Sequence, residues 1–305
     1  MKIINPATNL EITELVEDTQ DSIMAKLKAL KAGQKLWKQQ SVKNRLGCII
    51  RFGELINANN EELASILTSE TGKPIQQSLN EINGAQNRIE HLAQNAEKWL
   101  ADESLAEGGE IIEKIVYEPL GVVANISAWN FPYNVGYNIF LYALVAGNSV
   151  LYKPSEYASL TGLAFEKYLI QAGIPSDVFK TIIGGGLVGQ IILKSDLDGY
   201  FFTGSYPTGI HIIETVAKKL VPVQLELGGK DPLYIMDDVA DIKQSAINAA
   251  EGAFYNNGQS CCAVERIYVH EKIYEPFVDA FVAEVKSYRL GDPEDKNTFL
   301  GALTR

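Results

Sequence analysis

The chain has 305 residues, long enough for two domains, and its 46% hydrophobic and 21% charged content suits a globular protein with a buried core. A formal charge of -11 argues against nucleic acid or an anionic membrane as a partner. Three cysteines (Cys48, Cys261, Cys262) make no disulfide framework and point to a reducing compartment.

Met1 to Pro6 lacks the apolar core of a signal peptide, and the most apolar run, Ile139 to Ala146, is too short to span a bilayer. A soluble, cytoplasmic protein is expected. Residues 1–15 read as an extended arm around Asn5-Pro6-Ala7-Thr8-Asn9. From 20 to 100 the pattern is helical. Asp21-Ser22 is placed to cap a helix running to Gln39, and Ser41 opens a second with Leu46, Ile49, Ile50 and Leu55 at helical spacing. A third runs from Asn60 to Glu70. Thr71-Gly72-Lys73-Pro74 breaks it, and a long helix with Ile82, Ile89, Leu92 and Trp99 follows. The leucines and aromatics here are read as core.

Residues 101–119 change character. Ala106-Glu107-Gly108-Gly109 reads as a turn and Ile111 to Tyr117 as β-prone, a hairpin of the kind that pairs its edge with another subunit. From Gly121 strands alternate with helices. The expected strands are Val122–Ile126, Ser149–Tyr152, Lys180–Ile183 and Tyr200–Phe202. The expected helices cover roughly 134–146, Lys153 to Gln171, and the stretch from Ser205 to Leu220. Such alternation implies a parallel, doubly wound α/β sheet with ligands outside the carboxyl ends of its strands. Beyond Gly228 come two strands, Leu233–Met236 and Arg266–His270, and two helices, one over 241–253.

The polar residues of interest fall on those strand ends. Lys153 and Glu156 can bind ribose hydroxyls together, or form a surface capping pair. Thr203-Gly204-Ser205 puts a hydroxyl at a helix N-terminus, where free N–H groups attract pyrophosphate; any serine N-cap has the same pattern. Asn130, in Trp129-Asn130-Phe131-Pro132, is either a turn former or a preorganised donor. Glu226 stands among apolar neighbours before Gly228-Gly229. Desolvation there would raise its proton affinity and suit it as a general base, whereas a strand glutamate facing solvent would not be tuned. Cys261 follows a polar, glycine-broken turn, a setting for a thiolate nucleophile or for an inert buried thiol. His91, His211 and His270 form no ligand spacing, so no metal is expected.

Phe254 to Cys262 and Leu225 to Pro232 together resemble the two signature motifs of the aldehyde dehydrogenase superfamily. Trp129-Asn130-Phe131-Pro132, Lys153-Pro154-Ser155-Glu156 and Phe202-Thr203-Gly204-Ser205 resemble three more, in family order, although Tyr206-Pro207 follows where the family usually has two polar residues. The resemblance implies oxidation of a small-molecule aldehyde to a carboxylic acid with NAD. Cys261 would be the nucleophile, Glu226 the base that activates water, and Asn130 with the Cys261 N–H the oxyanion hole. Lys153, Glu156, Gly204, Ser205 and Trp129 would contact the cofactor, and a carboxylate at Glu156 would repel a 2′-phosphate, favouring NAD over NADP.

It further implies a Rossmann-like NAD-binding domain over 1–100 and 120–228, an oligomerisation hairpin over 101–119, and a homodimer or homotetramer. The chain ends at Leu303-Thr304-Arg305 where family members continue, so 229–305 is expected to be an incomplete α/β catalytic domain. The alternatives are a truncated fragment that retains NAD binding or subunit association without turnover, or an enzyme that passes its thioester to coenzyme A. The helix after Asn130 would line the substrate tunnel with Tyr133, Tyr137, Phe140 and Tyr142. With no Lys or Arg between Phe131 and Tyr152, a neutral or aromatic aldehyde is expected over an anionic one.

Overall fold

The computed structural model describes residues 1–106 and 111–305, with the backbone alone for Ala106. The N-terminal arm is a small antiparallel pair, β1 (Lys2–Ile4) and β2 (Glu11–Glu14). Four helices follow: α1 (Gln20–Trp37), α2 (Val42–Ala58), α3 (Asn60–Thr71) and α4 (Ile75–Trp99). The cap of α1 is Thr19, not Asp21-Ser22. Its hydroxyl accepts from the Ser22 N–H while Ser22 Oγ accepts from the Thr19 N–H, satisfying two free donors reciprocally. Gly72, at φ 75, closes α3 in the left-handed region, and Pro74 precedes α4. Trp99, expected in the core, is 42% exposed because it ends α4 beyond the packed layer; it stacks on Tyr142. Leu36 is likewise exposed, on the outer side of α1 from buried Trp37.

In the hairpin, β3 (Glu103–Ala106) pairs antiparallel with β4 (Glu113–Ile115). Ala106 closes β3, and the rest of the expected turn, Glu107 to Gly109, lies outside the described residues. The main sheet has five parallel strands: β5 (Val122–Ile126), β6 (Ser149–Lys153), β7 (Phe179–Thr181), β8 (Gly199–Gly204) and β9 (Val223–Leu227). Their order is β7-β6-β5-β8-β9. Its helices are α5 (Pro132–Val145), α6 (Ser159–Gln171), α7 (Gly186–Lys194) and α8 (Tyr206–Val216).

Alternation along the strands builds two cores. Val123, Val150 and Tyr152 pack with α2 to α6, while Val122, Ala124 and Leu151 pack with α1, α7 and α8 on the other face. This is the doubly wound α/β arrangement expected from the sequence. Two helix boundaries differ by several residues. Pro154 holds Lys153 extended as the last residue of β6, so α6 starts at Ser159. α8 stops at Val216, a 3-10 turn takes Ala217–Lys219, and Leu220 sits at φ 54. Beyond the sheet, β10 (Asp231–Ile235) and β11 (Val264–Val269) pair in parallel, packed by α9 (Ile242–Phe254) and α10 (Tyr274–Ser287).

Candidate active site

Two adjoining clefts open at the carboxyl ends of β5, β6, β8 and β9. The first, about 360 Å³, is lined by Lys153, Glu156, Gly186, Gly189 and His211 among others. The second, about 530 Å³, is lined by Asn130, Glu226, Gln259 and Cys261. Trp129, Gly204 and Ser205 line both. The structure therefore brings together every site residue expected from the sequence.

Lys153 is buried, with Nζ donating to the Pro154 carbonyl at 3.1 Å. Burial lowers its ammonium pKa, opposed by Glu156 and Glu17. Ser205 caps α8, its hydroxyl 2.9 Å from that of Thr208. A side chain at Gly204 would come within 2.3 Å of the Phe202 ring, which would have to move to admit it. Gly186 and Gly189 leave one wall of the first cleft open, with nothing within 4 Å of an added Cβ. A buried ammonium, a glycine wall and a free helix N-terminus at one cleft fit a dinucleotide phosphate and ribose.

The nucleophile turn follows α9. Asn256, Asn257 and Gly258 take φ of 54°, 59° and 75°, a left-handed run that asparagine and glycine tolerate best. Asn256 is buried; its N–H donates to Gln77 Oε1 at 2.8 Å, and its amide to the carbonyls of Asn130 (3.0 Å) and Gln259 (3.3 Å). Asn130 Nδ2 donates to the same Gln259 carbonyl at 2.9 Å.

Partial burial pushes the Cys261 thiol above its ordinary value and the neighbouring Cys262 thiol pushes it further, against weaker help from backbone N–H groups. One expectation is corrected by this geometry. Glu226 is not desolvated. It is exposed on β9, the edge strand of the sheet, and opens onto the cleft that holds Cys261.

The aromatic tunnel is also corrected. Tyr133, Tyr137 and Phe140 are fully buried in the core against Phe52 and Phe165, and Tyr142 lies on Trp99. The stripe one helical step away faces the cleft and supplies Val135 and Asn138. Although no cation lies between Phe131 and Tyr152 in sequence, Arg88 of α4 hydrogen-bonds Asn138 Oδ1 and reaches Asn134 Oδ1 at 3.4 Å. The reason given for a neutral or aromatic aldehyde therefore falls.

Sequence reasoning missed Lys73, in the loop that enters α4, and Gln77 and Glu81 on α4, which back the site. The signal for the last two was present: polar residues four apart on a face that also carries Ile82 and Ala85. Among the described residues, no group of three or more His, Cys, Asp or Glu could hold a metal, and no helix is long and apolar enough to cross a membrane.

The sequence pattern of the aldehyde dehydrogenase family matches residues 1–305. The chain is 34% identical over 304 residues to the 3,6-anhydro-alpha-L-galactose dehydrogenase of Vibrio sp. (strain EJY3), covering 98% of this chain and 63% of that protein. It is 36% identical over 305 residues to a betaine aldehyde dehydrogenase of Cereibacter sphaeroides, covering 99% of this chain and 62% of that protein. The solved structure of an indole-3-acetaldehyde dehydrogenase in complex with NAD+ superposes with a TM-score of 0.96 at 30% identity, over 100% of this chain and 62% of that one. The chain thus spans a little over three-fifths of the length of these relatives, and it belongs to the aldehyde dehydrogenase family.

Proposed function

We propose that this chain carries the cofactor-binding half and the nucleophile of an enzyme that oxidises a small-molecule aldehyde to a carboxylic acid with NAD. The observation that carries the reading is the placement of Cys261, Asn130 and Glu226 around one cleft that opens into the cleft of Lys153 and Glu156. The Cys261 sulfur adds to the aldehyde carbon, and the oxygen that gains the electron pair is held by the Asn130 amide and the Cys261 N–H. Bound NAD would supply the hydride acceptor for that carbon, after which the acyl group would remain on Cys261 as a thioester. Glu226 takes a proton from water, which displaces the sulfur and releases the acid. The thiol, displaced upward, loses its proton to solvent before the sulfur adds, and Glu226 acts at the hydrolytic step.

Lys153 and Glu156 hold the ribose hydroxyls, Gly204 and Ser205 the pyrophosphate, and Trp129 packs where the two clefts meet. Glu156 at the cleft favours NAD over NADP by repelling a 2′-phosphate. The division into a cofactor domain (1–100 and 120–228), a hairpin (101–119) and a catalytic part (229–305) belongs to the same proposal. Exposed Leu105, Ile112 and Tyr117 suit the hairpin to pairing with a second copy in a homodimer or homotetramer. The test is NADH formation by the full-length protein with a panel of aldehydes, beside its Cys261→Ala variant. The variant should bind NAD as the wild type does and form no NADH. Turnover without Cys261 contradicts the assignment.

A further inference from the structure

We propose that Lys73, Gln77 and Glu81 are positioning residues that lock the Asn130 turn and the Cys261 turn onto α4 and the loop that enters it. The proposal rests on the roles given above to Asn130 and Cys261. Lys73 is 0% exposed and its ammonium group is fully engaged: it is ion-paired with Glu81, donates to the Asn130 carbonyl at 2.7 Å, and lies 4.0 Å from the centroid of the Phe131 ring. Glu81 Oε1 accepts from the N–H of Tyr133 at 2.9 Å and from that of Asn134 at 3.4 Å, at the start of α5. The pair therefore holds the chain from 130 to 134 at its carbonyl, its ring and its N–H groups.

Gln77, midway between the two, does the same for the other turn. Its Oε1 accepts from Asn256 N–H at 2.8 Å, and its amide donates to the Phe299 carbonyl at 2.9 Å. Asn256 closes the circuit by donating to the Asn130 carbonyl that Lys73 also holds. The donor of the oxyanion hole and the turn that delivers the nucleophile thus share one buried reference frame, set by residues that line neither cleft.

Burying a lysine and a glutamate together is a poor route to stability, because an apolar pair of similar volume is generally as stable. Such a pair does fix geometry: its partners are charged, directional and unable to slide. Placement within about an ångström matters here, since a 1 Å error at reacting atoms costs on the order of a hundredfold in rate.

The test compares the full-length wild type with the double variant Lys73→Met/Glu81→Leu, with Gln77→Leu, and with the exposed control Gln76→Leu. Three quantities are measured: kcat against the KM for NAD, thermal unfolding, and the ratio of iodoacetamide labelling at Cys261 and Cys262. The double variant should unfold near the wild-type temperature, keep its KM for NAD, and lose kcat by about a hundredfold. Gln77→Leu should lose kcat and shift the labelling ratio, whereas Gln76→Leu should do neither. If the double variant does not fold, Gln77→Leu and its control decide the question. Wild-type kcat and an unchanged labelling ratio in Gln77→Leu overturn the proposal, as does a kcat loss matched by loss of NAD binding. If the wild type itself forms no NADH, the functional reading fails on its own, and the labelling ratio alone decides the positioning role.

Discussion

The side-chain amide of Asn130 donates to the main-chain carbonyl of Gln259 at 2.9 Å, joining residues 129 apart in sequence. The bond ties the loop after β5 to the turn that ends in Cys261, so the proposed oxyanion donor and the proposed nucleophile cannot drift separately. Asn130→Ala should therefore remove a donor and slacken the turn at once. We predict a kcat lower by at least about 10²–10³ with NAD affinity unchanged. Steady-state kinetics beside NAD titration check this, and a variant impaired only in KM would speak against the role.

Glu226 lies exposed at the cleft edge, where water reaches it. Glu226→Gln should slow thioester hydrolysis by about 10²–10⁴, the usual worth of a positioned base. Thiol addition gives its proton to solvent and does not need Glu226. A stopped-flow burst of NADH should persist while steady turnover collapses. Loss of the burst in step with turnover would remove Glu226 from the hydrolytic step.

The elevated Cys261 thiol sets a pH dependence for its chemistry in the absence of ligands. Only the thiolate reacts, and the thiol pKa is displaced upward, so alkylation of Cys261 should be slow at neutral pH and keep rising through the alkaline range. Iodoacetamide rates for the Cys262→Ser variant measure this without interference from the neighbour. A rate already level at neutral pH would show a thiolate held by groups other than those seen here.

Glu70 supplies a stability test away from the chemistry. Burial pushes its carboxyl up from 4.5 to about 7, although the N–H groups of Leu160 and Thr161 and the Thr161 hydroxyl pull it back. The folded state thus keeps a proton that the unfolded chain has released. Stability from this site is greatest at low pH and falls as pH rises from 4.5 towards 7, by up to about 1.4 kcal/mol per pH unit. Glu70→Gln cannot titrate, so its stability relative to wild type should rise from pH 4.5 to about 7 and level off above it in urea unfolding. A pH-independent difference would contradict the displaced carboxyl.

The sheet was legible because its central strands are short apolar runs closed by glycine, proline or polar turns, as in Val122–Ile126 and Ser149–Lys153. α7 escaped notice because Gly186 and Gly189 look like loop residues; it is held as a helix by the apolar face of Val188, Ile192 and Leu193. The wrong face was chosen for α5 because Pro132–Val145 is apolar almost all round, and nothing in such a pattern separates buried Tyr137 from cleft-facing Asn138. The environments of Cys261 and Glu226 depend on what covers them in space. Apolar neighbours in sequence did not desolvate Glu226, because those on an edge strand alternate away from it. Lys73 reads as part of a helix break until the fold carries the Asn130 carbonyl to it.

The central claim is that Cys261 carries the substrate covalently. Full-length Glu226→Gln, mixed with NAD and an aldehyde that the wild type oxidises, should accumulate a thioester; acid quenching and tandem mass spectrometry of the 254–262 region would locate it. The account predicts the mass of the acyl group on Cys261, dependent on NAD and absent from Cys262. An acyl group on Cys262, or NADH formed in the burst with neither cysteine modified, would contradict it.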